Sequence, residues 1–247
     1  MPCYGLAGKK LGHSFSKAWF TSKFEREGLT DYRYINHEMD DIRQIRAAVQ
    51  EKGLSGLNIT VPFKSSILPY LDVITEDALT IGAVNVVKVH NDGRLFGYNT
   101  DHIGFRETLM PLLKECHSRA LILGTGGAAK AIAYVLSGLG IEYQFVSRDG
   151  TGKDILTYKN LTMLDIRNAP LIVNTSPAGM FPEVSGKPDI PYEGVDKYHI
   201  LYDLVYNPAE TEFMKMGDLY GAQVINGYAM LVRQAEESWK IWMDPDL

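Results

Sequence analysis

The apolar run Arg119-Ala-Leu-Ile-Leu-Gly124 passes directly into Gly124-Thr125-Gly126-Gly127-Ala128-Ala129, and a helical pattern follows at once. No other feature constrains the fold as strongly. A GxGxxA turn after a strand and before a helix, continued by the helix Lys130 to Leu139 and the strand Tyr143 to Ser147, makes one βαβ unit. The first glycine allows the tight turn. The second lets the backbone approach a pyrophosphate, and the small Ala129 lets the helix pack closely on the strand. The helix N-terminus offers free N–H groups and the positive end of its dipole. A plain tight turn is the alternative; the flanking strand and helix favour a dinucleotide. The second strand ends at Ser147-Arg148-Asp149, where such folds place an acidic residue on a ribose 2′-hydroxyl. Arg148 in that place favours a 2′-phosphate, hence NADP. A surface arginine is the other reading, and Asp149 would repel the phosphate.

Composition sets the frame. The 247 residues correspond to about 1.6 domains at roughly 150 residues each. A hydrophobic fraction of 45% with 22% charged residues is that of a soluble globular chain. A net charge of −5 gives no footing to nucleic acid. No apolar run approaches a membrane span, and MPCYGLAGKK lacks the layout of a signal peptide. Cys3 and Cys116 are isolated, which excludes a disulfide scaffold and fits the cytoplasm. The six histidines show no ligand spacing, so no metal is expected.

The first hundred residues alternate strand and helix. Strands are expected at Cys3 to Gly8, Tyr32 to His37, Gly56 to Val61, Ala83 to His90 and Arg94 to Tyr98. The last two flank the turn Asn91-Asp92-Gly93. Helices are expected at Ser16 to Gly28, Asp40 to Lys52 and Ser65 to Leu71. Such alternation implies a mainly parallel sheet. Beyond it, a helix from Asp101 to Cys116 leads into the βαβ unit. Strands follow at Leu171 to Asn174, Ile200 to Val205 and Gln223 to Ile225, with helices at Thr211 to Gly221 and Tyr228 to Met243. The loop from Pro177 to Lys197 is long enough to suggest a functional role.

Four polar spots stand out. His13-Ser14-Phe15-Ser16 precedes a helix, where Ser16 reads as an N-cap and the two hydroxyls could also bind a carboxylate. Asn58 and Thr60 share one face of a strand, and Lys64 lies just beyond its end, where α/β proteins hold ligands. Asn85 sits in the apolar run GAVNVV, where an unpaired amide would be costly. Asp101 stands at a strand-to-helix junction, as an N-cap or as a reacting group.

Spacing alone does not bring these residues together. The stretches HSFSK, LNITVPFK, GAVNVV, GYNTDHIGF, GTGGAAKA, NTSPAGM, YDLVYNPAET and NGYAMLVRQA, in this order and rough spacing, resemble the shikimate/quinate dehydrogenase family from end to end. The resemblance implies that Lys64 and Asp101 form the pair at the reacting carbon. Ser14 and Ser16 would bind the substrate carboxylate, and Thr60, Asn85 and Gln234 the ring hydroxyls, with Tyr206 near the carboxylate. Gly124, Gly126, Gly127, Ala128, Arg148 and Thr175 would bind NADP, with Gly227 and Met230 along the nicotinamide. The implied reaction is the reversible reduction of 3-dehydroshikimate to shikimate. A lysine ammonium can supply the proton at the developing alkoxide and offset its charge.

The chain departs from the family pattern in places. Asp149 stands where a threonine is usual, and Lys130 replaces an arginine. The segment after Arg148 (Gly150-Thr151-Gly152-Lys153) has only weak helical periodicity to Leu164, with Lys153 as a possible second basic group. The further C-terminal helix of many members has no counterpart. The expected architecture is two-lobed α/β. Residues 1–101, completed by 226–247, form the substrate lobe; residues 102–225 form a Rossmann-like NADP lobe, with the active site in the cleft and a hinge near Asp101 and Gly227. The expected assembly is a monomer or homodimer. A broader quinate/shikimate dehydrogenase tolerating NAD and a non-catalytic ligand-sensing paralogue are the rivals; Thr60 favours shikimate, and retention of Lys64 with Asp101 argues against a sensor.

Overall fold

A computed structural model describes residues 1–12, 15–150, 152 and 155–246. In chain order it contains β1 (Cys3–Gly8), α1 (Phe15–Arg26), β2 (Arg33–Glu38), α2 (Ile45–Lys52), β3 (Leu54–Ile59), β4 (Val73–Ile74), α3 (Glu76–Ile81), β5 (Val86–Val89) and β6 (Leu95–Tyr98). Then come α4 (Asp101–Leu109), β7 (Arg119–Leu123), α5 (Gly127–Gly138), β8 (Glu142–Ser147), β9 (Ile155–Thr157), α6 (Met163–Arg167), β10 (Leu171–Asn174), β11 (Ile200–Asp203), α7 (Glu212–Leu219), β12 (Gln223–Ile225) and α8 (Tyr228–Met243). Two units separate: Met1–Thr100 with Gln234–Leu247, and Asp101–Arg233. Helix α8 contributes to both.

The first unit is built on a sheet of order β2-β1-β3-β5-β6-β4. Three of its five pairings are parallel, in line with the alternation of strand and helix, and the two made by β5 are antiparallel. The turn at Asn91-Asp92-Gly93 folds β5 back on β6, with the Gly93 N–H on the His90 carbonyl at 2.8 Å, and β5 also runs antiparallel to β3. Helix α2 presents Ile45, Ala48 and Val49 to a core that includes Ala7, Leu57 and Val87. The other core is aromatic: Phe20 and Phe24 of α1, Tyr4, Tyr34 and Trp242. Trp242 docks the end of α8 here. Its ring stacks on Tyr4 with centroids 4.7 Å apart, and its Nε1 donates to the Val87 carbonyl at 3.0 Å. The indole fits because residue 56 is glycine; a Cβ there would stand 2.4 Å from Nε1. Lys88 Nζ donates to the Ile241 carbonyl at 2.9 Å and to that of Asp244, placing a cation at the negative end of the α8 dipole.

The second unit has a six-stranded sheet of order β12-β11-β10-β7-β8-β9, parallel throughout. Counting from β7, this is the doubly wound order 3-2-1-4-5-6, whose direction reverses between β7 and β10. Helices α4 and α5 pack Phe105, Leu109, Ile132 and Leu136 with Ile122, Val173 and Tyr202. Another core gathers Ile166, Phe213, Leu121 and Leu201 with Ile190, Tyr192 and Val195. Those last three belong to the long loop after Pro177, so part of that loop packs where a crossover helix would stand.

Several elements differ from the sequence reading. The expected helix from Asp101 stops at Leu109, because Pro111 offers no N–H to continue it; a 3₁₀ turn, Met110–Leu112, follows. Residues 65–71 form only the 3₁₀ turn Leu68–Tyr70 around Pro69. The weakly helical stretch before Leu164 contains strand β9, and a short helix, α6, begins at Met163 under a Thr162–Asp165 capping box. Helix α3 was not expected. Ser16 lies inside the first turn of α1 rather than capping it.

Candidate active site

In the first unit, three of the polar side chains singled out from the sequence, Asn58, Asn85 and Gln234, are tied into one buried network. Asn85 lies just before β5, and its backbone is held on both sides, by the Tyr98 carbonyl at 3.0 Å and the Ile59 N–H at 2.8 Å. Its Oδ1 accepts from the Thr100 N–H at 2.7 Å; its Nδ2 donates to Thr100 Oγ1 at 3.0 Å and to Gln234 Oε1 at 3.3 Å. Asn85 and Gln234, 149 positions apart, therefore meet with both side chains buried. The costly unpaired amide feared from the sequence is paired. Apart from Asn58, sequence reasoning missed the residues that hold this pair. Thr100 Oγ1 donates to the Gln234 carbonyl at 3.0 Å, and Ser238 Oγ donates to the same carbonyl at 2.7 Å. Asn58 Nδ2 donates to Ser238 Oγ at 3.0 Å, and Tyr34 donates to Asn58 Oδ1 at 2.7 Å. Burial pushes the Tyr34 phenol well up, and Ser16, hydrogen-bonded to it, works the other way. Ser238 lies one helical turn after Gln234 on α8, a signal the sequence did carry.

Thr60 follows β3. Its N–H donates to Ala7 O at 3.0 Å and its carbonyl accepts from Phe63 at 2.9 Å, which turns the chain so that half-buried Lys64 follows. The Lys64 carbonyl accepts from Val84 at 2.7 Å, one residue from Asn85. Asp101, 5% exposed, opens α4 directly after Thr100 and places a carboxylate in the first turn of that helix. Ser14 and Lys153 lie outside the described residues.

In the second unit, the switch point between β7 and β10 carries the glycine turn. Gly124 adopts φ +128, a conformation open to glycine alone, and a Cβ would stand 2.5 Å from Thr175 Oγ1. Thr175 is pinned there, its N–H and Oγ1 donating to the Leu123 carbonyl at 3.0 and 2.9 Å. Gly126 caps α5 without a side-chain bond, and a Cβ there would meet no atom within 4 Å. The turn is thus an open cradle of backbone N–H groups at a helix N-terminus, flanked by half-exposed Gly127 and Ala128. These residues fit a dinucleotide pyrophosphate. Arg148 is exposed at the end of β8, with Asp149 exposed beside it. Gly227 follows β12 and lies so close to β11's loop that a Cβ would stand 2.1 Å from the Leu204 carbonyl. Met230 is buried in the core of this unit. Tyr206 is half-buried three residues past β11.

Among the described residues, no group of three or more His, Cys, Asp and Glu could hold a metal. No described helix is long and apolar enough to cross a membrane.

A doubly wound parallel sheet with an open glycine cradle at its switch point, joined to an α/β unit bearing a buried carboxamide pair, defines a two-domain, dinucleotide-binding oxidoreductase. Comparison narrows the class. Residues 6–87 match the family described as the shikimate dehydrogenase substrate binding domain. A shikimate dehydrogenase (NADP+) from Methanococcus maripaludis is 36% identical over 260 residues, covering 98% of this chain and 92% of that protein. The shikimate 5-dehydrogenase of Thermus thermophilus, solved with NADP(H) and shikimate, superimposes with a TM-score of 0.85 at 30% identity, covering 100% of this chain and 96% of that one. A quinate dehydrogenase from Corynebacterium glutamicum, solved with NAD, also scores 0.85 at 27% identity over 98% of this chain and 93% of that one. The chain belongs to the shikimate dehydrogenase family.

Proposed function

We propose that this chain is an NADP-dependent shikimate dehydrogenase that reversibly reduces 3-dehydroshikimate to shikimate. The observation that carries the reading is the buried Asn85–Gln234 pair, anchored by Thr100 and Ser238. Two fixed carboxamides, with Thr60 next to Ile59, whose N–H donates to the Asn85 carbonyl, suit a ligand rich in hydroxyls, and such a site rejects analogues by leaving its own polar groups unpaired. Ser14 and Ser16 bind the substrate carboxylate, with Tyr206 beside it. Lys64 Nζ and the Asp101 carboxyl hold and move the proton at the substrate's reacting oxygen, and the ammonium offsets the negative charge that develops there. Gly124, Gly126, Gly127, Ala128 and Thr175 cradle the cofactor's pyrophosphate side, and Gly227 and Met230 flank its nicotinamide. The exposed guanidinium of Arg148 pairs with the 2′-phosphate. The bound cofactor supplies the hydride. Residues 1–101 with 226–247 serve as the substrate domain and 102–225 as the cofactor domain. The two unpaired cysteines are compatible with a reducing cytoplasm.

The test follows oxidation of NADPH and of NADH with 3-dehydroshikimate and with 3-dehydroquinate, for the wild type and Lys64→Ala. NADPH with 3-dehydroshikimate is the expected productive pair, and Lys64→Ala lowers kcat by about 10²–10⁴-fold. No turnover with any pair would remove the enzymatic reading. Equal use of NADH would remove the Arg148 assignment, and near-normal turnover by Lys64→Ala the role of that lysine.

A further inference from the structure

Asp203 is the last residue of β11 and is fully buried, yet nothing assigned so far uses it. A buried carboxyl is costly unless it is hydrogen-bonded. Three donors satisfy this one. Asn174 Nδ2 reaches its Oδ1 at 2.9 Å, the Val205 N–H reaches the same oxygen at 3.0 Å, and Thr211 Oγ1 donates to Oδ2 at 2.6 Å. Each donor leads elsewhere. Asn174 ends β10, and its own Oδ1 accepts from Ser176 twice, N–H at 3.0 Å and Oγ at 2.7 Å. Between these two residues stands Thr175, locked against the Gly124 turn. Val205 begins the loop that carries Tyr206, and its carbonyl accepts from the Gly227 N–H at 3.0 Å. Thr211 caps α7, its Oγ1 accepting from the Met214 N–H at 3.3 Å.

A single carboxylate thus ties together the three strand-end loops bearing Thr175, Tyr206 and Gly227. We propose that Asp203 is a positioning residue for cofactor binding, fixing through Asn174 the loop that sets Thr175 against the Gly124 turn. Oδ1 performs this positioning, and Oδ2 serves the start of α7. The inference rests on the assignment of the Gly124 turn to the cofactor.

Four variants separate positioning from general stability, read by the Kd for NADPH (nicotinamide fluorescence), the KM for 3-dehydroshikimate and the Tm. Asn174→Ala cuts the arm toward the cradle and raises the NADPH Kd about tenfold, the size of one lost charge-assisted bond, with a small change in kcat. Thr211→Val cuts the far arm of the same carboxylate; its Tm falls by as much, but its Kd stays within about twofold of wild type. Asp203→Asn keeps the acceptor at Oδ1 and binds within about threefold. Ser176→Ala, at a less buried position, raises Kd about threefold and serves if Asn174→Ala does not fold. Wild-type affinity in both Asn174→Ala and Ser176→Ala overturns the proposal, as does a Kd that rises in step with lost Tm in every variant, Thr211→Val included. Loss of binding in Asp203→Asn refutes the role given to Oδ1. A wild type that binds no NADPH overturns the cofactor assignment instead.

Discussion

Replacing Gly124 and Gly126 by alanine, separately, divides folding from binding within one turn. At Gly124 the added Cβ requires a side chain at φ +128, which costs about 1–3 kcal/mol. The same Cβ stands 2.5 Å from Thr175 Oγ1, so the hydroxyl must move and release the Leu123 carbonyl, for about 0.5–1.5 kcal/mol more. Gly124→Ala should therefore lose about 1.5–4.5 kcal/mol of stability together with cofactor affinity. Gly126 has an ordinary φ of −75 and empty space where its Cβ would go. Gly126→Ala should stay within about 0.5 kcal/mol of wild type, since the small capping loss and the reduced freedom of the unfolded chain offset each other. It should nonetheless weaken NADPH binding at least about tenfold, because the methyl occupies the approach of the pyrophosphate. Urea denaturation followed by circular dichroism gives the first quantity, and titration with NADPH the second. Equal stability of the two variants would refute the steric argument. Unchanged affinity in Gly126→Ala would refute the assignment of the cradle.

Trp242→Ala should cost about 3–5 kcal/mol, because it empties the aromatic core of the first unit and removes the indole's bond to the Val87 carbonyl; thermal melting against wild type checks this, and Gly56→Ala should lower the Tm too by displacing the same indole. Asp203 should make stability depend on pH in the direction opposite to a paired surface carboxylate. Burial pushes its pKa up to about 6 despite three donors, so the folded state holds the proton more tightly than the unfolded chain. The stabilisation from this group is complete below its unfolded pKa and is lost as pH rises through about 6, a change of about 3 kcal/mol. Wild type should thus lose about that much relative to Asp203→Asn between pH 4 and pH 7 in urea melts, and a constant difference would show that Asp203 does not titrate there.

The second unit was the more legible in the sequence, for a physical reason. Strands buried on both faces read as continuous apolar runs, and the glycine turn is a local motif whose residues act on their own neighbours. The first unit was less legible. Asn85 and Lys64 stood out in the sequence, but their roles, and the candidacy of Gln234, came only through resemblance to a family, because a polar residue in an apolar run looks the same whether it is paired or stranded. Ser238, Thr100 and Tyr34 escaped notice because each serves the site through another side chain. Asp203 and Asn174 escaped for the same reason, at the ends of strands whose patterns were otherwise read correctly. The short elements α3, β9 and α6 carry too few residues for a period to register.

The sequence by itself determined the doubly wound unit, the hairpin at Asn91-Asp92-Gly93 and the glycine turn at Gly124, because these depend on backbone freedom and periodicity within a few tens of residues. Tertiary structure alone decided that Gln234 meets Asn85 and that α8 closes over Gly56 through Trp242. It also decided that one buried carboxylate binds the ends of two strand-end loops directly and reaches a third, that of Gly227, through the Val205 carbonyl. Those outcomes depend on hydrogen bonds and packing between residues far apart in the chain, whose worth appears only once burial has taken away water as the competing partner.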